Sequence, residues 1–215
     1  MFGKALGLMK KKKKTDDQST DADGKSKAPL GDISKMLNAS GRIGLQMLQK
    51  MAKIYDKVEF ERFVQQPVLV GASIQAGSLA TQNRHAENEL NKTVIFEVDA
   101  AEAAASSSES LKHAMYPLVK NEYSNGRFNI FSLGRIDGND MIMPDYAISK
   151  QHAVIEIKRG DYLIRDVGST NGTFINGKRA DKKPVQIRDK DIVAFARYEF
   201  TFLFPESLYD MLRGS

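Results

Sequence analysis

In the second half of the chain apolar residues come in short runs at close spacing, at 116–119, 128–133, 141–143, 153–157, 162–166, 173–175, 185–187, 192–195 and 198–204. Several of these runs alternate. In the third of them that is long enough to judge, Ala153, Ile155 and Ile157 fall on one face while Glu156 and Lys158 fall on the other. A period of two, interrupted every few residues by glycine, asparagine and aspartate, predicts an all-β body of two packed antiparallel sheets. Pro117 has no N–H to give a neighbouring strand, which argues for a sheet edge at the first run. Asn171-Gly172 and Asn176-Gly177 tolerate the positive φ that tight turns between twisted strands require. After the last run, residues 205–212 read as a short helix begun by Pro205 or Glu206.

The first half has a different period. Ile33, Met36, Leu37, Met47, Leu48, Met51, Ile54, Tyr55, Val58 and Phe63 recur at steps near 3.6, with Asp32 as an N-cap and Pro67 beyond the end. This predicts an amphipathic helical segment over 32–66, broken around 40–44 by Gly41 and Gly44. Its methionine-rich stripe packs either on its own domain or on a second copy, so self-association through 32–66 is one expectation. Residues 67–108 read as a linker that holds the short apolar run Val68-Leu69-Val70-Gly71 and a possible strand at 93–98. The β-domain is expected over 109–207, followed by a C-terminal tail at 208–215.

Composition narrows the classes. The 215 residues carry a net charge of +5 and no cysteine, which excludes disulfides and thiolate metal sites and accords with a cytoplasmic setting. Residues 1–31 hold eight lysines against four aspartates and almost no apolar patterning after Met9, so they read as a disordered basic tail. The apolar residues precede the lysines there, the reverse of a secretory signal, and Phe2 excludes N-myristoylation. No apolar run approaches the roughly 20 residues of a membrane-spanning helix, so no integral membrane segment is expected. The lysine run lacks interleaved aromatics, which counts against nucleic acid as a partner.

Candidate chemistry is concentrated in Gly134-Arg135, Ser149-Lys150-Gln151-His152, Ser169-Thr170-Asn171-Gly172-Thr173 and Asn176-Gly177. Arginine is planar, always charged and forked, so Arg135 beside the hydroxyls of Ser149 and Thr170 suits a phosphate dianion. These motifs, in this order and spacing, resemble the forkhead-associated (FHA) domain over roughly residues 115–205. The resemblance implies a twisted antiparallel β-sandwich of about eleven short strands whose apical loops bind phosphothreonine peptides. It further implies that Arg135 and the Ser149 hydroxyl contact phosphate, that the Lys150 N–H and its ammonium add to the positive site, and that Thr170 reaches the phosphate. Asn171 either grips the peptide backbone or serves as a turn former. Gly134, His152, Gly172, Asn176 and Gly177 are then loop-bracing residues, and the loop Asp137–Asp140 is a candidate reader of the residue three places after the phosphothreonine. Lys190 stands where the family commonly has glycine. Thr20, with Asp23 three residues on, is a candidate regulatory phosphosite whose modification would let the tail occlude the pocket.

Enzymatic readings find little support. Ser149, His152 and Asp166 lack a Gly-x-Ser-x-Gly elbow, and residues 168–172 lack the Gly-Lys-Ser/Thr ending of a nucleotide-binding loop. His85, His113 and His152 have no ligand spacing, so no metal and no cofactor is expected. The chain is thus expected to be a non-enzymatic adaptor whose partners are a phosphothreonine-containing protein and a Ser/Thr kinase or its substrate. Two alternatives stand beside it, a phosphate-independent scaffold using the β-body and the 32–66 segment, and a nucleic-acid-associated adaptor working through the lysine tail.

Overall fold

Strand β1 (Val68–Gly71) is buried along its whole length and lies between β2 (Met115–Pro117) and β11 (Tyr198–Leu203) in a six-stranded sheet. The computed structural model to which it belongs describes residues 32–73, 110–121, 124 and 126–214. The lysine-rich tail, Thr20 and the expected strand at 93–98 lie outside the described residues. The remaining strands are β3 (Ile130–Gly134), β4 (Met141–Ile142), β5 (Ala153–Lys158), β6 (Asp161–Asp166), β7 (Thr173–Ile175), β8 (Lys178–Ala180), β9 (Val185–Ile187) and β10 (Ile192–Phe195). The first sheet runs β2-β1-β11-β10-β7-β8 and the second β4-β3-β5-β6-β9. All pairings are antiparallel except that of β3 with β4.

The two sheets share one hydrophobic core, which draws Leu133, Ile155 and Ile164 from one and Leu69, Phe195 and Phe200 from the other. Pro117 sits at the sheet edge, as its missing donor requires.

Two strands depart from the sequence-based expectation. Residues 68–71, expected to belong to a linker, are a central strand with Val68, Leu69 and Val70 all fully buried. Leu69 faces the shared core while Val68 and Val70 lie outside that cluster, so neither face needs polar residues and no alternation marks the strand. β8 has the opposite disguise, because Lys-Arg-Ala is mostly charged and its strand character comes from the turn that precedes it. Asn176 and Gly177 take φ of 48° and 76°, a two-residue turn that folds β8 back onto β7 and pairs Ile175 with Lys178.

The helical segment is also divided differently. A 3-10 turn at Ile33–Met36 is capped by Asp32, whose carboxylate accepts from the Ser34 N–H at 2.9 Å. Helices α1 (Leu45–Ile54) and α2 (Lys57–Val64) follow, and α3 (Pro205–Arg213) closes the domain. The break around Gly41 occurs as expected, but a second falls at Tyr55–Asp56. There Asp56 accepts from the Glu59 N–H at 2.9 Å while Glu59 accepts from the Asp56 N–H at 3.1 Å, a reciprocal cap that starts a new helix.

The stripe of this segment packs on the chain's own α3: Phe60 meets Tyr209 with ring centroids 5.3 Å apart, and Leu48, Phe60 and Leu208 are fully buried. Met47, Ile54 and Val58 remain exposed. Residues expected as a C-terminal tail from 208 therefore continue α3 to Arg213. Phe204 has no capping side chain of its own; Asp189 reaches over instead, accepting from the Phe204 N–H at 2.8 Å and the Ser207 hydroxyl at 2.6 Å. Lys190, next to it, holds φ of 69°, so the turn keeps a glycine-like backbone with a lysine in it.

Two stability outcomes follow from this architecture. A fragment of residues 110–215 removes β1 from between β2 and β11 and should lose several kcal/mol, at about 1.5–3 kcal/mol for each fully buried Val or Leu; its chemical denaturation midpoint against that of residues 32–215 measures this. Lys190→Gly should raise the denaturation midpoint, since the left-handed penalty of about 1–2 kcal/mol exceeds the glycine entropy cost of roughly 0.5–1 kcal/mol.

Candidate functional site

Three loops meet at one end of the two sheets, after β3, before β5 and before β7. Gly134 ends β3 where a Cβ would strike the Lys150 carbonyl and come within 2.6 Å of the Asn139 amide, so only glycine lets the first two loops pass this closely. Their backbones are tied by Arg135 N–H to Ser149 O at 3.0 Å. Asn139, buried, clamps the same junction by donating to the carbonyls of Ile136 at 2.8 Å and Lys150 at 3.0 Å.

The second and third loops are joined by hydroxyl and amide contacts. The Thr170 N–H donates to the Ser149 hydroxyl oxygen at 3.0 Å, and the two side-chain oxygens lie 3.4 Å apart. Asn171 donates from its amide to Ala147 O at 2.8 Å.

Beneath them His152 is fully buried. Its Nδ1 accepts from the Ser149 N–H at 3.1 Å, which leaves Nε2–H to donate to Gly172 O at 3.0 Å. Burial pushes the imidazole below its ordinary value of 6.5, against the opposing pull of the Gly172 carbonyl and the Asp166 charge. A second proton on the ring would also set donor against donor at Ser149.

Asp166 builds the third loop from below. Its carboxylate accepts from Gly168 N–H at 2.8 Å, Ser169 N–H at 2.7 Å, the Ser169 hydroxyl at 2.6 Å and the Thr173 hydroxyl at 2.8 Å. Burial raises this carboxyl, yet the hydrogen bonds outweigh it and hold the group below the usual carboxylate range. Ser169 passes the order on by accepting from the Gly172 N–H at 2.9 Å. Asp166 thus takes no proton from His152, and both ring nitrogens of His152 face backbone, so nothing is placed to activate the Ser149 hydroxyl.

Charge at this end is unbalanced. Arg197 is paired with Asp145 at 2.9 Å and Lys120 with Asp140 at 2.7 Å, but Arg135 and Lys150 form no ion pair among the described residues. Lys150 is exposed, and the Arg135 guanidinium lies over the Tyr146 ring at 5.4 Å. Two uncompensated cations beside two exchangeable hydroxyls favour an anion.

The structure therefore brings Gly134, Arg135, Ser149, Lys150, His152, Thr170, Asn171 and Gly172 together. It does not bring Asn176 and Gly177 there: they sit at the far end of β7, where Asn176 donates to Asp191 at 2.8 Å and accepts from the Ile192 N–H at 2.9 Å. The loop Asp137–Asp140 is corrected in part. Asn139 and Asp140 are buried, and the Asp140 carboxylate accepts from Lys120, the Asn121 N–H and the Ser132 N–H and hydroxyl, so these two residues hold the loop. The clamping role of Asn139 within that loop was missed in the sequence, and so was Asp145. Asp145 carried a signal, Asp-x-Ala, with its carboxylate turned onto the Ala147 N–H at 2.8 Å, but such local turns are too common to single out. Among the described residues no three acidic or histidine side chains converge as metal ligands, and no helix is long and apolar enough to cross a membrane.

Residues 131–196 match the family model of the FHA domain. The glycogen accumulation regulator GarA of Mycolicibacterium smegmatis is 31% identical over 72 residues, covering 34% of this chain and 44% of GarA. The transcriptional regulatory protein EmbR of Mycobacterium tuberculosis is 33% identical over 70 residues, covering 33% of this chain and 18% of EmbR. Among solved structures, the FHA domain of an Arabidopsis thaliana hypothetical protein is similar at a TM-score of 0.34 and 33% identity, over 35% of this chain and 66% of that one. A domain solved for the analysis of phosphothreonine-dependent FHA domain interactions is similar at a TM-score of 0.33 and 26% identity, over 36% of this chain and 79% of that one. The matched segment thus spans less than half the length of either curated relative.

The environment of His152 sets a pH dependence. Its folded value lies below 6.5, so the unfolded chain takes up the proton first and stability falls as pH drops from 6.5 toward that lower value. Thermal melts between pH 7 and 5 should show this slope, and His152→Gln should flatten it. The Asp166 contribution, from a depressed carboxyl, is present above 3.8 and is lost only at lower pH.

Proposed function

Because residues 131–196 of this chain match the family model of the FHA domain, we propose that the protein is an adaptor that binds phosphothreonine peptides at the end carrying Arg135. The observation that carries this reading is the pair of unpaired cations, Arg135 and Lys150, beside Ser149 and Thr170, which are already fixed by contacts to each other. Preorganised donors around a free guanidinium bind a dianion without first having to be ordered.

In this reading Arg135 and the Ser149 hydroxyl bond the phosphate, and Lys150 adds its ammonium and N–H. Thr170 approaches the phosphate from the opposite loop. Asn171 has one amide N–H on Ala147, and its second N–H and its oxygen suit a peptide backbone. His152, Gly134 and Gly172 keep the loops in place, and the two-sheet body is the twisted antiparallel sandwich of that domain. The domain is a binding module and no catalytic role is assigned to it. The phosphate is written by a separate Ser/Thr kinase, and the setting is cytoplasmic.

Titration of the full chain with a phosphothreonine peptide and its unphosphorylated parent tests this. The parent should not bind, and Arg135→Ala should weaken the phosphorylated form about ten- to a hundredfold, the weight of a charge-assisted bond of about 1.5–3 kcal/mol. Equal capture of both peptides would replace this reading with phosphate-independent assembly.

A further inference from the structure

Tyr146 is 92% exposed, more than any other exposed large apolar side chain among the described residues. An exposed tyrosine on a loose loop would carry no meaning. This one stands on a fixed turn. The Asp145 carboxylate on one side accepts from the Ala147 N–H at 2.8 Å, the Tyr198 hydroxyl at 2.7 Å and Arg197 at 2.9 Å. On the other side the Ile148 N–H donates to Asp145 O at 3.0 Å, and Ala147 O accepts from Asn171 at 2.8 Å. The backbone that presents the ring is therefore held to two other loops.

The ring lies 5.4 Å from the Arg135 guanidinium carbon, within cation–π range. Arg135 Nε is buried without a hydrogen-bond partner, an unusual condition for a charged group. The aromatic ring is thus the side-chain neighbour of the guanidinium on one side and leaves the rest of it to a ligand. Ile136, next to Arg135, is itself 46% exposed, so the free cation is flanked by apolar surface on its own loop as well.

We infer that Tyr146 is a recognition residue that positions Arg135 for the phosphate with one side of its ring and, with the rest, packs an apolar side chain of the bound phosphothreonine peptide. The partner this site takes therefore carries an aliphatic or aromatic residue close to its phosphothreonine. This rests on the function proposed above.

The test is selection of the full chain against a degenerate phosphothreonine peptide library, followed by titration with the most enriched peptide. The wild type should enrich aliphatic or aromatic residues at one position near the phosphothreonine. Tyr146→Ala should lose that enrichment and weaken binding by about two- to fivefold or more, the scale of an exposed cation–π contact. Tyr146→Phe should restore both, and the thermal midpoint should not move, since the ring is exposed. The Arg135 Nε–H resonance should shift in Tyr146→Ala but not in Tyr146→Phe, as expected for a ring lying over the guanidinium, while the loss of apolar enrichment is the readout that a merely structural role would not produce.

Unchanged affinity and enrichment in Tyr146→Ala, with binding still lost in Arg135→Ala, overturn this inference alone. A wild type that binds phosphopeptides without apolar enrichment overturns it too. A wild type that captures no phosphothreonine peptide overturns it together with the function beneath it.

Discussion

A neutral imidazole with no exposed surface joins the second and third loops of the candidate site. His152 accepts from Ser149 on one loop and donates to Gly172 on the other, so the separation of Ser149 from Thr170 is set from underneath, out of reach of solvent. The arrangement works only in one tautomer and only uncharged. Everything above it is geometry built on that brace: the Ser149 to Thr170 contact, the Asn171 bond to Ala147, and the presentation of Arg135 from the neighbouring loop. Asp166 supplies a second brace inside the third loop, four donors converging on one carboxylate, which leaves that loop little freedom.

Asp145, Asp140 and Asp166 near this end are each engaged in holding loops, while Asp137 in the loop after β3 is exposed. Asp145 neutralises Arg197, Asp140 neutralises Lys120, and Asp166 faces hydroxyls and backbone. These three carboxylates therefore sit within the scaffold, while Lys150 is exposed and Arg135 is half-buried without an ion-pair partner among the described residues. Burying the negative partners with specific donors and leaving two cations unmatched gives a local field that a net charge of +5 for the whole chain would not by itself create.

Much of this was legible in the residues. The bounds of β7, β9 and β10 coincide with the expected runs because each is a short apolar stretch between strong turn formers. Arg135, Ser149, Thr170 and Asn171 meet because they lie in the loops that follow β3 and precede β5 and β7, and these loops converge at one end of the sheets. What escaped has physical reasons. β1 is covered on both faces and so lacks the period of two; β8 is charged because it is an edge strand, and edges are often protected by lysine and arginine. The break at Tyr55–Asp56 was signalled by Asp56 and Glu59, but the apolar period runs through it unbroken and masks the cap. Asn139 was invisible for another reason: its partners are carbonyls on two loops, and nothing local in sequence distinguishes a buried clamp from a surface asparagine.

The place of β1 has a consequence for how the chain is made. Val68 pairs with Leu203, so two strands far apart along the chain close one register. Contacts so distant along the chain are slow to form, because the closure entropy comes first. During translation this fully apolar segment and its partner β2 leave the ribosome well before β11 exists, and in that interval the other edge of β1 is open.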